Sequence, residues 1–228
     1  MNRYMIVAAC LLICLIGCNN PKANTNGDIK SENDAKEYHV GYDDIHSLIP
    51  EGWGILIKDD DPVMEKGDLN KDEIEDVAMV IEELQSATES APERALLIAF
   101  GTDHDSYTRS IVAENVILSS DAGGVWGDPF ESLSIDRGSV VVSDYGGSNW
   151  RWYDTYRFRY QDEDWYLIGA TMGEYFTGNL EGKEEDYNLL TGDYILKEMS
   201  EGEMKITERG NRGKKSLIKL GEFDLSMM

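Results

Sequence analysis

Short apolar runs separated by polar turns dominate the chain beyond residue 50. Residues 52–57, 77–84 and 95–100 each have strand length, and Pro92 lies in the polar loop between the last two. Apolar runs this short predict strands buried on both faces, because helices need more residues. Residues 110–118 repeat the apolar content with an ambiguous period. Residues 132–136 and 139–143 flank Arg137-Gly138, a hairpin signature. Residues 150–160 alternate: Trp150, Trp152, Asp154, Tyr156, Phe158 and Tyr160 share one face, with Arg151, Tyr153, Thr155, Arg157 and Arg159 on the other. A polar turn leads into residues 165–171, and residues 187–197, 203–208 and 215–220 predict further strands. Ahead of them, residues 43–49 predict one short helix with an acidic first turn, ended by Pro50. The sum is a mainly β chain, an antiparallel sandwich or curled sheet with one short N-terminal helix. No repeat of fixed period is present, which argues against a full propeller or solenoid.

The N-terminus follows another pattern. Arg3 precedes an apolar run from Ile6 to Ile16, and Gly17-Cys18 follows. The run is too short to span a bilayer, which takes roughly twenty residues, and it reads as a secretory signal. Leu15-Ile16-Gly17-Cys18 resembles the lipobox of bacterial lipoproteins. That resemblance implies a diacylglycerol thioether on Cys18, cleavage ahead of it, and a fatty acid such as palmitate on the new amine. It places the chain at the cell membrane or outer membrane, held in the lipid bilayer through acylated Cys18 and exposed outside the cytoplasm. Several acyl chains on one residue exceed what stable anchoring needs. Cys10 and Cys14 fall inside the discarded segment, so the core must hold without disulfides.

Residues 19–37 are mostly Asn, Lys, Ser, Asp, Gly and Pro, with Ile29 as the one large aliphatic. They read as a flexible spacer. The expected organisation is therefore a signal peptide at 1–17, the lipidated cysteine and spacer at 18–37, and a β-rich globular domain at 38–228 with a sub-boundary near 120–130. Charge narrows the partners. The chain carries 21 Lys and Arg against 44 Asp and Glu, a formal charge of −23. Nucleic acid is excluded as a partner, since phosphate backbones need a basic footprint. A strongly acidic body is also repelled by an anionic membrane surface, so it stands off on its tether.

Between the first two apolar runs lies Gly67-Asp68-Leu69-Asn70-Lys71-Asp72-Glu73-Ile74-Glu75-Asp76. Oxygen side chains fall at Asp68, Asn70 and Asp72, with Asp76 four residues on, and the Ile74 carbonyl adds a donor. Calcium takes six to eight oxygens, and a tight loop turns alternate side chains inward to supply them. The segment resembles the calcium loops of FG-GAP repeats, which join two strands; that likeness implies calcium as cofactor on Asp68, Asn70, Asp72, Ile74 and Asp76. Glu73 departs from the pattern where Gly is usual, a cost of about 1 kcal/mol if that position needs a positive φ. The stretches Leu48–Trp53, Gly67–Asn70, Gly147–Trp150, Trp165–Gly169 and Leu190–Asp193 together resemble a group of bacterial envelope lipoproteins. That likeness implies a shared fold and carries no activity.

Arg151, Arg157 and Arg159 share a strand face in a very acidic protein and are the ligand-binding candidates, for carboxylates or phosphates. Asp103-His104-Asp105 reads equally as a metal or acid–base cluster and as a polar loop. The chain contains no nucleophile elbow, phosphate loop, dinucleotide fingerprint or zinc-type His pair. The expectation is a non-catalytic, calcium-stabilised domain that binds an envelope partner or ligand. Two alternatives stand beside it. An envelope glycan or phosphoester hydrolase predicts a cleft lined by two carboxylates and stacking aromatics. An inhibitor or immunity-type lipoprotein would offer its acidic surface to an exported enzyme.

Overall fold

The computed structural model describes residues 42–84, 90–104 and 106–225. Cys18, the signal segment and the spacer lie outside the described residues. One short helix, α1 (Tyr42–Ser47), precedes fourteen strands: β1 (Trp53–Ile55), β2 (Ile57–Lys58), β3 (Asp61–Pro62), β4 (Met64–Gly67), β5 (Asp76–Glu83), β6 (Arg94–Gly101), β7 (Tyr107–Glu114), β8 (Phe130–Ile135), β9 (Val140–Gly147), β10 (Trp150–Gln161), β11 (Asp164–Phe176), β12 (Glu181–Asn188), β13 (Asp193–Ser200) and β14 (Glu203–Asn211). The mainly β, antiparallel reading with one short N-terminal helix holds.

Two sheets carry the architecture. In the smaller, β6 joins β7 to β5, and β5 pairs along its other edge with both β1 and β4. The larger is a meander in the order β14-β13-β12-β11-β10-β9-β8. Residues 115–129, where a sub-boundary was expected, form the connection from β7 to β8, between the two sheets. The described residues form one compact unit.

The central strands β5 and β6 of the smaller sheet are buried on both faces, which explains why they read as continuous apolar runs. Ala78, Val80, Leu96 and Ile98 pack against Val140, Val142, Tyr156, Phe158 and Leu167 of the larger sheet. The alternate residues Val77, Met79, Ile81, Ala95 and Leu97 pack beneath Ile45 of α1 with Trp53 and Ile55. The larger sheet receives cover mainly over β8–β11. Beyond them, β12–β14 extend past the buried core, and most of their side chains are exposed or half-buried.

Several expectations shift. The single strand expected over 52–57 breaks at Leu56, and β2, β3 and β4 follow it. The ambiguous run at 110–118 pairs instead over Tyr107–Glu114. A strand over 187–197 is wrong: Leu189–Gly192 turn the chain, so β12 ends at Asn188 and β13 starts at Asp193. Residues 215–220 form no strand; Lys219 makes one isolated bridge to Tyr166, and Leu220 seals the core from a short 3-10 turn.

Candidate functional site

The acidic loop folds around its own amides. Asp68 accepts the Lys71 amide on Oδ1 at 2.6 Å and the Glu73 amide on Oδ2 at 3.3 Å. Asn70 Oδ1 accepts from Asp72 at 3.0 Å, and Asp72 Oδ1 accepts from Ile74 at 2.8 Å. These are Asx turns, in which short side chains replace missing ladder bonds. Lys71 and Glu73 both sit at φ 69°. The position where Gly was expected does require the left-handed region. Leu69, wholly buried, pins the loop to the main core.

Asp76 works differently. It is fully buried, and its carboxylate accepts three amides: Leu69 at 2.7 Å, Asn70 at 3.1 Å and Gly101 at 2.9 Å. Gly101 is required there, since a Cβ would meet the Glu75 carbonyl at 2.3 Å. Burial pushes the Asp76 carboxyl above its ordinary range, while the three amides work against that shift. Asp76 thus ties the loop to β6, a role its spacing did not reveal. Three amides leave it about one acceptor position of a carboxylate's four. Asp68, Asn70, Asp72 and the Ile74 carbonyl keep hard oxygen donors near the surface, a set whose chemistry fits calcium. Among the described residues no three His, Cys, Asp or Glu side chains converge as a metal group.

A second carboxylate pair lies in the larger sheet. Asp144 on β9 stands directly across from Asp154 on β10. Both occupy core-facing positions, one step along from Val142 and Tyr156. Asp144 is 2% exposed, and neither of its oxygens has a hydrogen-bond partner. Burial pushes its carboxyl up to about 7, reinforced by Asp154, Asp128 and Glu131 and opposed by Arg94. Burial alone raises Asp154 to about 6.

Arg94 does not neutralise the pair, because it is already engaged. Its Nη1 and Nη2 hold Asp128 in a bidentate clamp at 2.7 Å each, and Nε donates to Glu82 at 2.7 Å. Burial disfavours the guanidinium charge, but Asp128 and Glu82 outweigh that and keep it protonated. This ion pair joins β6 to the segment leading into β8.

Asp154 opens onto a cleft of about 460 Å³ between β10 and β14, lined with it by Trp152, Met172 and Leu196, by Glu174, Glu184, Glu185 and Glu198, and by Lys183 and Lys197. One row across the strands runs Asp144, Asp154, Met172, Glu185, Leu196. Glu174 pairs with Lys183 at 3.0 Å, and Glu185 pairs with Arg212. Asp154 has no basic partner among the described residues.

The three arginines singled out in the sequence lie on the opposite face of β10. Arg151 donates to the Gly147 carbonyl at 2.8 Å and stacks over Trp126 at 4.8 Å. Arg157 pairs with Asp136 at 2.9 Å and borders a separate cavity of about 360 Å³ with Thr155, Thr171 and Asp186. Arg159 donates to Gln161 at 2.6 Å. Each thus has a local partner, and no common site gathers them. His104 pairs with Asp103 in an exposed loop, and Asp105 lies outside the described residues.

The sequence passed over Asp144, yet its signal was present. In Val140, Val142, Asp144 the inward register of β9 ends on a carboxylate, and Asp154 repeats this opposite it. Among the described residues no helix is long and apolar enough to cross a membrane. Comparison with protein-family models, with curated proteins and with solved structures finds no match to the chain.

Proposed function

We propose that the chain is an envelope lipoprotein, anchored through acylated Cys18, whose β domain binds a ligand without transforming it. The observation that carries the binding part is the cleft beside Asp154, with Trp152, Met172 and Leu196 as its apolar surface. The lipobox and spacer support the anchoring part. Calcium on Asp68, Asn70, Asp72, the Ile74 carbonyl and Asp76 would stiffen the acidic loop and offset its negative charge. Cells fed a labelled fatty acid test the anchoring. The wild-type chain takes up label and stays in the membrane fraction, and Cys18→Ser does neither. Label on the Cys18→Ser chain, or none on the wild type, contradicts the anchor. Chelating calcium should lower the melting temperature, and an unchanged transition rejects the calcium part.

A hydrolase is the second reading, because Trp152, Asp154 and Glu174 meet in one cleft as that reading requires. Acid–base hydrolysis needs two carboxyl groups free to exchange protons; Glu174, Glu184 and Glu185 are tied to Lys183, Lys197 and Arg212, which leaves Asp154 and Glu198 to serve. Release of reducing sugar or phosphate that disappears in Asp154→Asn would favour the hydrolase over the binding domain.

A further inference from the structure

We infer that the uncharged end of the larger sheet, at the tips of β9–β11, docks on the lipid bilayer that holds the chain, with Val125, Trp126 and Trp150 entering the headgroup layer. This rests on the anchoring reading above and adds a second contact with the same membrane. Three segments meet at that end: residues 122–127 ahead of β8, residues 145–150 around the β9–β10 turn, and residues 175–180 around the β11–β12 turn. None of their residues carries a charge, in a chain where 29% of residues do. Backbone bonds join them: the Gly147 amide donates to the Gly123 carbonyl at 2.9 Å, and the Thr177 amide donates to Asn149 at 2.8 Å. The opposite end of the same sheet is charged. Its turns carry Arg137, Asp162 and Glu163, and β14 runs out there into Arg212, Lys214 and Lys215.

Exposed apolar side chains gather at the uncharged end. Among the described residues seven large hydrophobics are exposed, and four of them, Val125, Trp126, Trp150 and Leu180, lie on these three segments. Scattered single residues would need no explanation, whereas a patch marks a contact surface. Val125 is 83% exposed. Neither the cleft beside Asp154 nor the cavity at Arg157 is lined by any residue of the three segments, so they stand out as tips. Small-molecule sites are concave, and protruding tips suit a fluid layer instead.

The side chains match a headgroup layer. An indole combines an apolar body with one N–H donor and settles where hydrocarbon meets water. Arg151, stacked on Trp126 at 4.8 Å, brings a cation suited to lipid phosphate. The acidic body is repelled by anionic lipid, but at physiological salt that repulsion reaches only about 8 Å, so the uncharged tips can touch where other faces cannot. Glu181 and Glu201 bound the patch on its β12–β14 side and keep the contact shallow. Residues 19–41 have a contour length of about 75 Å, longer than a domain of this size is wide, so the tether lets this end turn to the membrane.

Tryptophan emission of the full-length chain, mixed with vesicles of phosphatidylcholine brominated on its acyl chains, tests the inference against unbrominated vesicles. Every tryptophan lies at residue 53 or later, so entry of the N-terminal apolar run brings none into the bilayer by itself. Trp126 and Trp150 are two of the five, so bromine should remove up to about two-fifths of the emission. Val125→Asp, which sets an acid on an exposed tip, should abolish the quenching at an unchanged melting temperature. Ile206→Asp, exposed on β14, should change neither. Unquenched wild type overturns the docking, as does quenching that survives Val125→Asp or fades with added salt, the mark of a basic patch. Emission indifferent to lipid but shifted by peptidoglycan fragments also overturns it, in favour of a glycan. A chain that takes up fatty-acid label yet stays unquenched loses the docking alone. One that is quenched without the label loses the anchor alone.

Discussion

Asp76 and Asp144 are both buried aspartates in strands of one sandwich, and their surroundings are opposite. Asp76 accepts three backbone amides, whereas neither Asp144 oxygen meets a donor. The first arrangement turns a buried charge into a structural clasp, holding the acidic loop to β6. The second leaves a buried carboxyl whose charge nothing satisfies, so it keeps its proton to a higher pH than an ordinary aspartate. Burial alone therefore does not define a carboxylate's role. What decides it is the supply of donors: Leu69 and Asn70 of the loop and Gly101 at the end of β6 turn their amides on Asp76, whereas around Asp144 the sheet's amides are spent in the ladders.

Removing the clasp should have the largest effect. Asp76→Ala orphans three amides, and each buried, unsatisfied polar group costs about 1–3 kcal/mol. Urea unfolding should show a loss of about 3 kcal/mol or more. A loss under about 1 kcal/mol would mean that the loop closes without Asp76.

Asp144→Asn should have the opposite sign and depend on pH. The folded carboxyl holds its proton more tightly than the unfolded one, so the native state binds more protons between about 3.8 and about 7. Wild-type stability contributed by this group is full below that window and is lost as pH rises through it. The neutral amide escapes the loss. Asp144→Asn should exceed the wild type by about 2–4 kcal/mol near pH 8, a figure that follows from the size of the shift, and by almost nothing near pH 4. An advantage that is the same at both pH values would sink this account of the pair.

Relief of loop strain should be the smallest change. Glu73 sits at φ 69°, so Glu73→Gly exchanges backbone strain for chain entropy, with a net gain of about 1 kcal/mol or less. Thermal unfolding with and without calcium reads this directly. A larger gain with calcium than without it places the strain on the cation site itself.

The contrast also marks what the sequence made legible. The acidic loop could be read as a turn because Asp68, Asn70 and Asp72 lie two residues apart, and each caps an amide just ahead of it. The short helix and the apolar strands β5 and β6 could be read because packing on both faces leaves a continuous hydrophobic run. Strand β12 could not: Glu181–Asn188 is polar on both faces, and it is held by pairing with β11 and β13 rather than by side-chain burial. The strand expected across Leu190 failed for a related reason, since Asn188 accepts the Leu190 and Thr191 amides and bends the chain there. Asp144 could be read by itself as a carboxylate on the inward register of β9, but its pairing with Asp154 follows only from the β9–β10 register.

Carboxyl-carbon NMR of the full-length chain, titrated with acid and base, tests the central contrast most directly. The account predicts that the Asp144–Asp154 pair titrates with apparent midpoints near about 7 and about 6. Midpoints for both groups near the ordinary 3.8 would mean that donors or a cation already satisfy the pair, and the reading of the cleft built on it would fail.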